Sequence, residues 1–232
     1  MRRRRSLSAR WRIAAAALLL ALCAAVYAWW DFIHWTPPRE AYPIQGILVG
    51  AEDGAVDFRA YRMVGADFVY LEASRGGSAR DRSFARNFAA AGEAHLQIGA
   101  VHEFDPCVPA ERQAANFVTI VPRDPSLLPP AVSLGRVGDD CPERVSDAAV
   151  ESELTTFLNQ IEGHVGKAAL LRISRNFEKR YHLASRLERN LWLVRDRFQP
   201  DYAGRPWTLW TANSQLRTEA GSGPVRWVVV QP

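Results

Sequence analysis

Lysine is nearly missing from this chain of 232 residues, where Lys167 and Lys179 stand alone against a large excess of arginine. GC-rich coding accounts for that bias without any special need for guanidinium groups. Net positive charge is missing from the body as well. Arg2, Arg3, Arg4, Arg5, Arg10 and Arg12 all precede an apolar run, and without them 23 Lys+Arg face 25 Asp+Glu. The sequence pI of 9.2 therefore belongs to the tail, and nothing electrostatic favours nucleic acid as a partner. Cysteine is scarce too, with Cys23, Cys107 and Cys141 the full set. Two cysteines outside the apolar run, with His95 and His102 isolated, do not make a zinc site at the usual spacing. No metal and no cofactor are expected.

What is present begins with residues 13–30, eighteen uncharged residues. As a helix they span ~27 Å, close to the ~30 Å hydrocarbon core of a bilayer. The arginines before the run favour a cytoplasmic N-terminus, and Tyr27, Trp29, Trp30 and Trp35 supply an interfacial belt on the far side. The expected layout is a basic cytoplasmic tail at 1–12, a single transmembrane helix at 13–30, a linker at 31–41 and an exported domain at 42–232. That places the domain on the periplasmic or extracytoplasmic side of the cell (inner) membrane. A cleaved signal peptide is the alternative, but Trp29 and Trp30 follow where a small-residue cleavage site would be needed. Leu22 before Cys23 argues against lipoprotein processing. In an oxidising compartment Cys107 and Cys141 read as one disulfide, worth ~3–4 kcal/mol for a loop of that length. Two buried free thiols are the alternative.

Roughly 195 residues remain for one domain with a sizeable core. Pro37, Pro38 and Pro43 stiffen the linker. Beyond it, strand-type runs at 44–49, 67–73, 96–101, 131–134, 168–173, 191–194, 207–211 and 226–230 alternate with helical patterns at 57–64, 81–92, 109–119, 147–164 and 175–188. The fourth helix carries Val150, Leu154, Phe157, Leu158 and Ile161 on one stripe, with Ser146 as its N-cap and Ala149 where a capping-box Glu would sit. Five strand–helix units followed by three strands predict an α/β fold, an irregular TIM-like (β/α)5β3 barrel. An open doubly wound sheet is the alternative, and its Gly-x-Gly-x-x-Gly fingerprint is absent. In such a barrel, chemistry sits at the C-terminal ends of the strands.

The ordered series Tyr42-Pro43-Ile44-Gln45-Gly46-Ile47, Ala66-Asp67-Phe68-Val69-Tyr70-Leu71-Glu72-Ala73, Asp81-x-x-Phe84-x-x-Asn87-Phe88, Ile98-Gly99-Ala100-Val101-His102, Gln113-Ala114-Ala115-Asn116-Phe117, Leu128-Pro129-Pro130-Ala131-Val132 and Gly166-Lys167 resembles glycoside hydrolase family 25, the lysozymes or N-acetylmuramidases that cut peptidoglycan. The resemblance runs from about 42 to 195 and implies an eight-stranded irregular barrel with five helices. It also implies an Asp-x-Glu pair at the end of the fourth predicted strand, an Asp in the first and another in the last. Residues i and i+2 of a strand share a face, so such a pair would look into the barrel mouth together. This chain carries Ser133 and Gly135 at the first pair, Leu48 in the first strand and, by a looser alignment, Arg226 in the last.

General acid catalysis supplies ~10²–10⁴-fold, and the partner carboxylate a comparable or larger factor. A serine, a glycine and a leucine supply neither, so the expected domain is catalytically degenerate, with no catalytic residues at those positions. It is expected to bind peptidoglycan or another glycan and to be held at the membrane by the N-terminal helix. Glu72, Glu103 and His102 near the mouth are the candidates for a rewired acid pair or for groove residues, and an active muramidase with relocated acids is the alternative. A serine hydrolase built on Ser133 and His102 lacks the strained elbow motif. Among Trp192, Trp207, Trp210 and Trp227, Trp210 is the candidate for a glycan-facing platform. A scaffold for other membrane proteins, without glycan, is a further reading.

Overall fold

The structure is a computed structural model that describes residues 4–221 and 223–232. Arg2 and Arg3 of the basic tail lie outside the described residues. The chain divides into two compact units, 1–35 and 36–232.

The first unit is one helix, α1 (Arg4–His34). It is longer than the apolar run because nothing between Arg4 and His34 breaks a helix; Pro37 and Pro38 follow only after it ends. From Ala9 to His34 it is long and apolar enough to cross a membrane, a property it shares with signal sequences.

The second unit is a closed barrel. Its strands are β1 (Gln45–Val49), β2 (Phe68–Arg75), β3 (Ala79–Arg80), β4 (Gln97–Glu103), β5 (Ala131–Leu134), β6 (Leu170–Ile173), β7 (Asn190–Val194), β8 (Leu209–Leu216) and β9 (Val225–Val230). Neighbours run β1-β9-β8-β7-β6-β5-β4-β2, and β1 closes the ring on β2, leaving the two-residue β3 as a hairpin on the edge of β2. Strands β1, β2 and β4 to β8 are parallel, and β9 is antiparallel to both neighbours. Five helices cover it: α2 (Phe58–Met63), α3 (Phe84–Glu93), α4 (Ala110–Ile120), α5 (Asp147–Val165) and α6 (Arg175–Tyr181). The (β/α)5β3 order is as the sequence pattern predicts.

Local chemistry explains the element ends. Ser146 Oγ accepts from Ala149 N to start α5, and Gly166 in the left-handed region ends it. Its predicted apolar stripe is buried along its whole length. Helix α6 stops seven residues before the expected 188, because His182 adopts a left-handed φ of 51° and a short 3-10 turn follows. Strand β8 runs past the expected end at 211, carried through the polar Asn213-Ser214-Gln215 by two bulged pairings with β9.

Alternate residues of the strands fill the interior. Leu48, Phe68, Tyr70, Val101, Ala131, Leu170, Trp192, Leu209 and Val228 form one buried cluster. Gly99 pairs with Tyr70, and a Cβ there would lie 2.2 Å from the Tyr70 ring, so glycine is what admits the tyrosine. The buried Tyr70 hydroxyl donates to Pro129 O at 3.0 Å. Trp192 Nε1 donates to Thr211 Oγ1 and Trp227 Nε1 to Gln45 Oε1, so each indole N–H keeps a partner in the core.

Candidate functional site

The layer above this apolar cluster, at the C-terminal ends of the parallel strands, is polar. Moving two residues along each strand keeps the inward direction: from Tyr70 to Glu72, Val101 to Glu103, Ala131 to Ser133, Leu170 to Arg172, and back from Val228 to Arg226. Glu72, Glu103, Ser133, Gly135 and Arg172 line a cleft of about 530 Å³, walled by the turn after β1 and by the β2–β3 hairpin.

The positions singled out by the resemblance fare differently. Leu48 is fully buried in the apolar cluster and belongs to the barrel core. Ser133 Oγ accepts a hydrogen bond from Arg172 Nη1 at 3.0 Å. Gly135 is exposed on the cleft wall, and a Cβ there would meet nothing within 4 Å. Arg226 is the hub of an ion cluster, with Nη1 donating to Glu72 Oε1 at 2.5 Å and Nη2 lying 2.7 Å from Asp53 Oδ2 and 2.9 Å from Glu52 Oε1.

Burial and pairing compete in that cluster. Burial raises the Glu72 and Asp53 pKa values, with Arg226 pulling each back down. Burial acts against the charge of Arg226, yet the facing carboxylates carry its pKa above the ordinary arginine value. The carboxylates of Glu52, Glu72 and Asp81 approach one another within 4.8 Å. They are already engaged, Glu52 and Glu72 by Arg226, and Asp81 by the N–H groups of Ala51 and Ser83. Cys107 and Cys141 are joined in a disulfide, as expected for an oxidising compartment.

Two sequence candidates are not in the cleft. His102 is fully buried on the outer face of β4. Its Nε2 donates to Gln113 Oε1 at 3.2 Å, since that oxygen only accepts, so Nδ1 accepts from the Ser74 hydroxyl at 2.8 Å. A bulge between Glu72 and Ser74 sets Ser74 opposite His102 while Glu72 faces the mouth. Burial lowers the His102 pKa to about 4, so the ring is neutral. This geometry corrects its reading as a mouth residue. Trp210 is 2% exposed. It packs on Tyr42 and Trp207 at centroid distances of 5.6 and 5.9 Å and donates from Nε1 to Arg195 O. No ring face is left for a sugar, because an outward-facing β8 residue is covered by the segment before β1. Glu103 does line the cleft, paired with Arg75 at 2.6 Å in an exposed bridge.

Three site residues escape sequence reasoning: Asp53, Glu52 and Arg172. A signal for the last existed, since Arg172 is the one charged residue in the strand Leu170-Leu171-Arg172-Ile173, and a lone charge in a buried strand demands a partner or a purpose.

The sequence profile of Glycosyl hydrolases family 25 matches residues 48–219. The chain belongs to that family. Among family 25 structures, its fold is similar to the glycosyl hydrolase from Bacillus anthracis, with a TM-score of 0.77 at 23% identity over 86% of this chain and 93% of that one. It is also similar to the bacterial lysozyme of Streptomyces coelicolor, with a TM-score of 0.70 at 19% identity over 82% and 92%. In sequence it is 26% identical over 214 residues to the uncharacterized protein YegX of Escherichia coli K12, covering 84% of this chain and 76% of the relative. The family 25 barrel here has its cleft at the strand C-termini, with Arg172 and Ser133 among the residues that line it.

Proposed function

We propose that this family 25 domain is a catalytically degenerate lysozyme-like module that binds peptidoglycan or a related glycan in its cleft. In this reading α1 is an uncleaved anchor in the inner membrane, with the N-terminus in the cytoplasm and the barrel outside. The observation that carries it is the chemistry at four positions. Leu48 is core, Ser133 is held by Arg172, Gly135 has no side chain and Arg226 is paired to three acids. None of the four can protonate a leaving oxygen or stabilise an oxocarbenium centre by negative charge.

The test is zymography on purified cell wall, with restoration as its second arm. The open space at Gly135 admits a glutamate, and Ser133 already faces the mouth, so Ser133→Asp/Gly135→Glu is the first variant. Leu48→Asp is added second, because it buries a carboxylate in the apolar cluster with Arg226 as its cross-strand partner. No clearing by the native chain and measurable clearing by a restored variant are the expected results. Clearing by the native chain would overturn the reading.

An active muramidase with relocated acids is favoured by one observation: Glu72 lines the cleft with a pKa raised by burial, as a general acid requires. Its pairing with Arg226 opposes that role by holding the charged form. Clearing that Glu72→Gln or Glu103→Gln abolishes would establish it.

A further inference from the structure

The floor of the cleft holds a cation with no anion of its own. Among the described residues, Arg172 forms no ion pair, and its hydrogen bonding is confined to Nη1 donating to Ser133 Oγ at 3.0 Å. Its Nε is buried with no partner. The carboxylates whose charge reaches it are committed elsewhere, Glu72 to Arg226 and Glu103 to Arg75. The guanidinium carbon lies over the Trp192 ring, 5.6 Å from its centroid. Burial, then the charge of Arg226, lowers its pKa to about 10, so the site penalises the very charge it carries. A buried donor without an acceptor is costly in a folded protein. Nε itself is sealed from the cleft, so an anion there is met by the Nη groups, whose charge-assisted hydrogen bonds to a carboxylate are the strong kind. Ser133, whose oxygen already accepts from Arg172, keeps its own proton to donate, and Gly135 two residues on leaves the space in front open.

We infer that Arg172 and Ser133 form a subsite for a carboxylate carried on a glycan, making the cleft selective for acidic over neutral saccharides. This rests on the glycan-binding reading above and names the chemistry that the ligand must have. A carboxylate on a lactyl ether of an amino sugar and one on a uronic acid present the same planar anion, and the test separates them.

The experiment is titration calorimetry on the full chain in detergent micelles. The probes are peptide-free wall glycan strands with free lactyl carboxylates, the same strands with those carboxylates amidated, tetragalacturonate, and the neutral chitotetraose. We expect the unmodified protein to prefer an acidic probe to the neutral ones by about 10–100-fold, the range for a hydrogen-bonded charge pair. Which acidic probe shows that preference identifies the source. Arg172→Gln should erase the preference, read as the ratio of acidic-probe to chitotetraose affinity within the same variant, and Arg172→Lys should retain part of it, as a point charge without the planar guanidinium. Equal binding of native and amidated strands by the unmodified protein, with no preference for tetragalacturonate over chitotetraose, overturns the inference while leaving the glycan reading intact, and this comparison needs no variant. Equal loss of all probes in Arg172→Gln overturns it as well. Binding of no glycan at all would instead sink the glycan reading itself.

Discussion

Arg226 in β9 donates through Nη1 to Glu72 at the end of β2, 154 residues away in the chain, at 2.5 Å. Two strands that flank β1 on opposite sides are thereby tied across the barrel mouth, and Asp53 and Glu52 from the turn after β1 complete the cluster. One cation is shared by three acids in a partly dry site, so its removal has consequences that can be stated in advance.

Arg226→Met should destabilise the domain by about 3–5 kcal/mol at neutral pH, the cost of leaving buried charge uncompensated. Glu72 and Asp53 then lose the partner that opposes their desolvation, and their folded pKa values rise further above the unfolded ones. A group with a raised folded pKa contributes stability at acid pH that is lost as pH rises through the folded value. The deficit of Arg226→Met should therefore shrink on moving from pH 7.5 to pH 5. Denaturant melts at the two pH values measure it; a deficit independent of pH would show that the acids are not the cause.

His102 titrates in the opposite sense. Its pKa falls from 6.5 to about 4 by burial, so below pH 6.5 the unfolded chain takes up a proton that the native state refuses. The His102 contribution should be constant above pH 7 and fall as pH drops from about 6.5 towards 4, by about 3 kcal/mol in total. His102→Asn should lower stability at pH 7.5 and flatten that slope. An unchanged slope would place the acid sensitivity elsewhere.

The Cys107–Cys141 bridge closes a span of 34 residues between the loop after β4 and the turn after β5. Peptide mass spectrometry without reduction should find the two cysteines joined. Cys107→Ser should cost about 3–4 kcal/mol by the loop-entropy estimate. Alkylation of both thiols in unreduced protein from its native compartment would contradict the pairing.

Orientation can be read by reporters fused to the C-terminus. The arginines before the apolar run and the aromatic residues after it predict activity from a reporter that works only after export. The mature protein should retain residues 4–34. A reporter active only in the cytoplasm would reverse the topology, and a shortened mature chain would replace the anchor with a signal sequence.

Much of this architecture was legible one segment at a time. The strand at 131–134, the apolar stripe of α5 and its Ser146 cap depend on neighbours within a few positions, so period and capping chemistry suffice to read them. The cleft's location followed from the same alternation, since chemistry gathers where parallel strands end. The roles of individual polar residues did not follow. Glu72 and Ser74 differ in facing because of a bulge that periodicity does not announce, and His102 and Trp210 turned out to lie on the outer surface of the sheet, under helices and the segment before β1. Arg172 was visible as a charge in an apolar strand, but its lack of an acid partner depends on Glu72 and Glu103 having been taken by Arg226 and Arg75. Such allocations are made between strands that meet only when the barrel closes. The sequence by itself determined the helix, the succession of strands and helices and the side of the barrel that bears the cleft, because these rest on local hydropathy and spacing. The tertiary structure alone decided which charges are compensated and which donor stays open, because Coulomb energy and hydrogen bonding depend on distances set by closure.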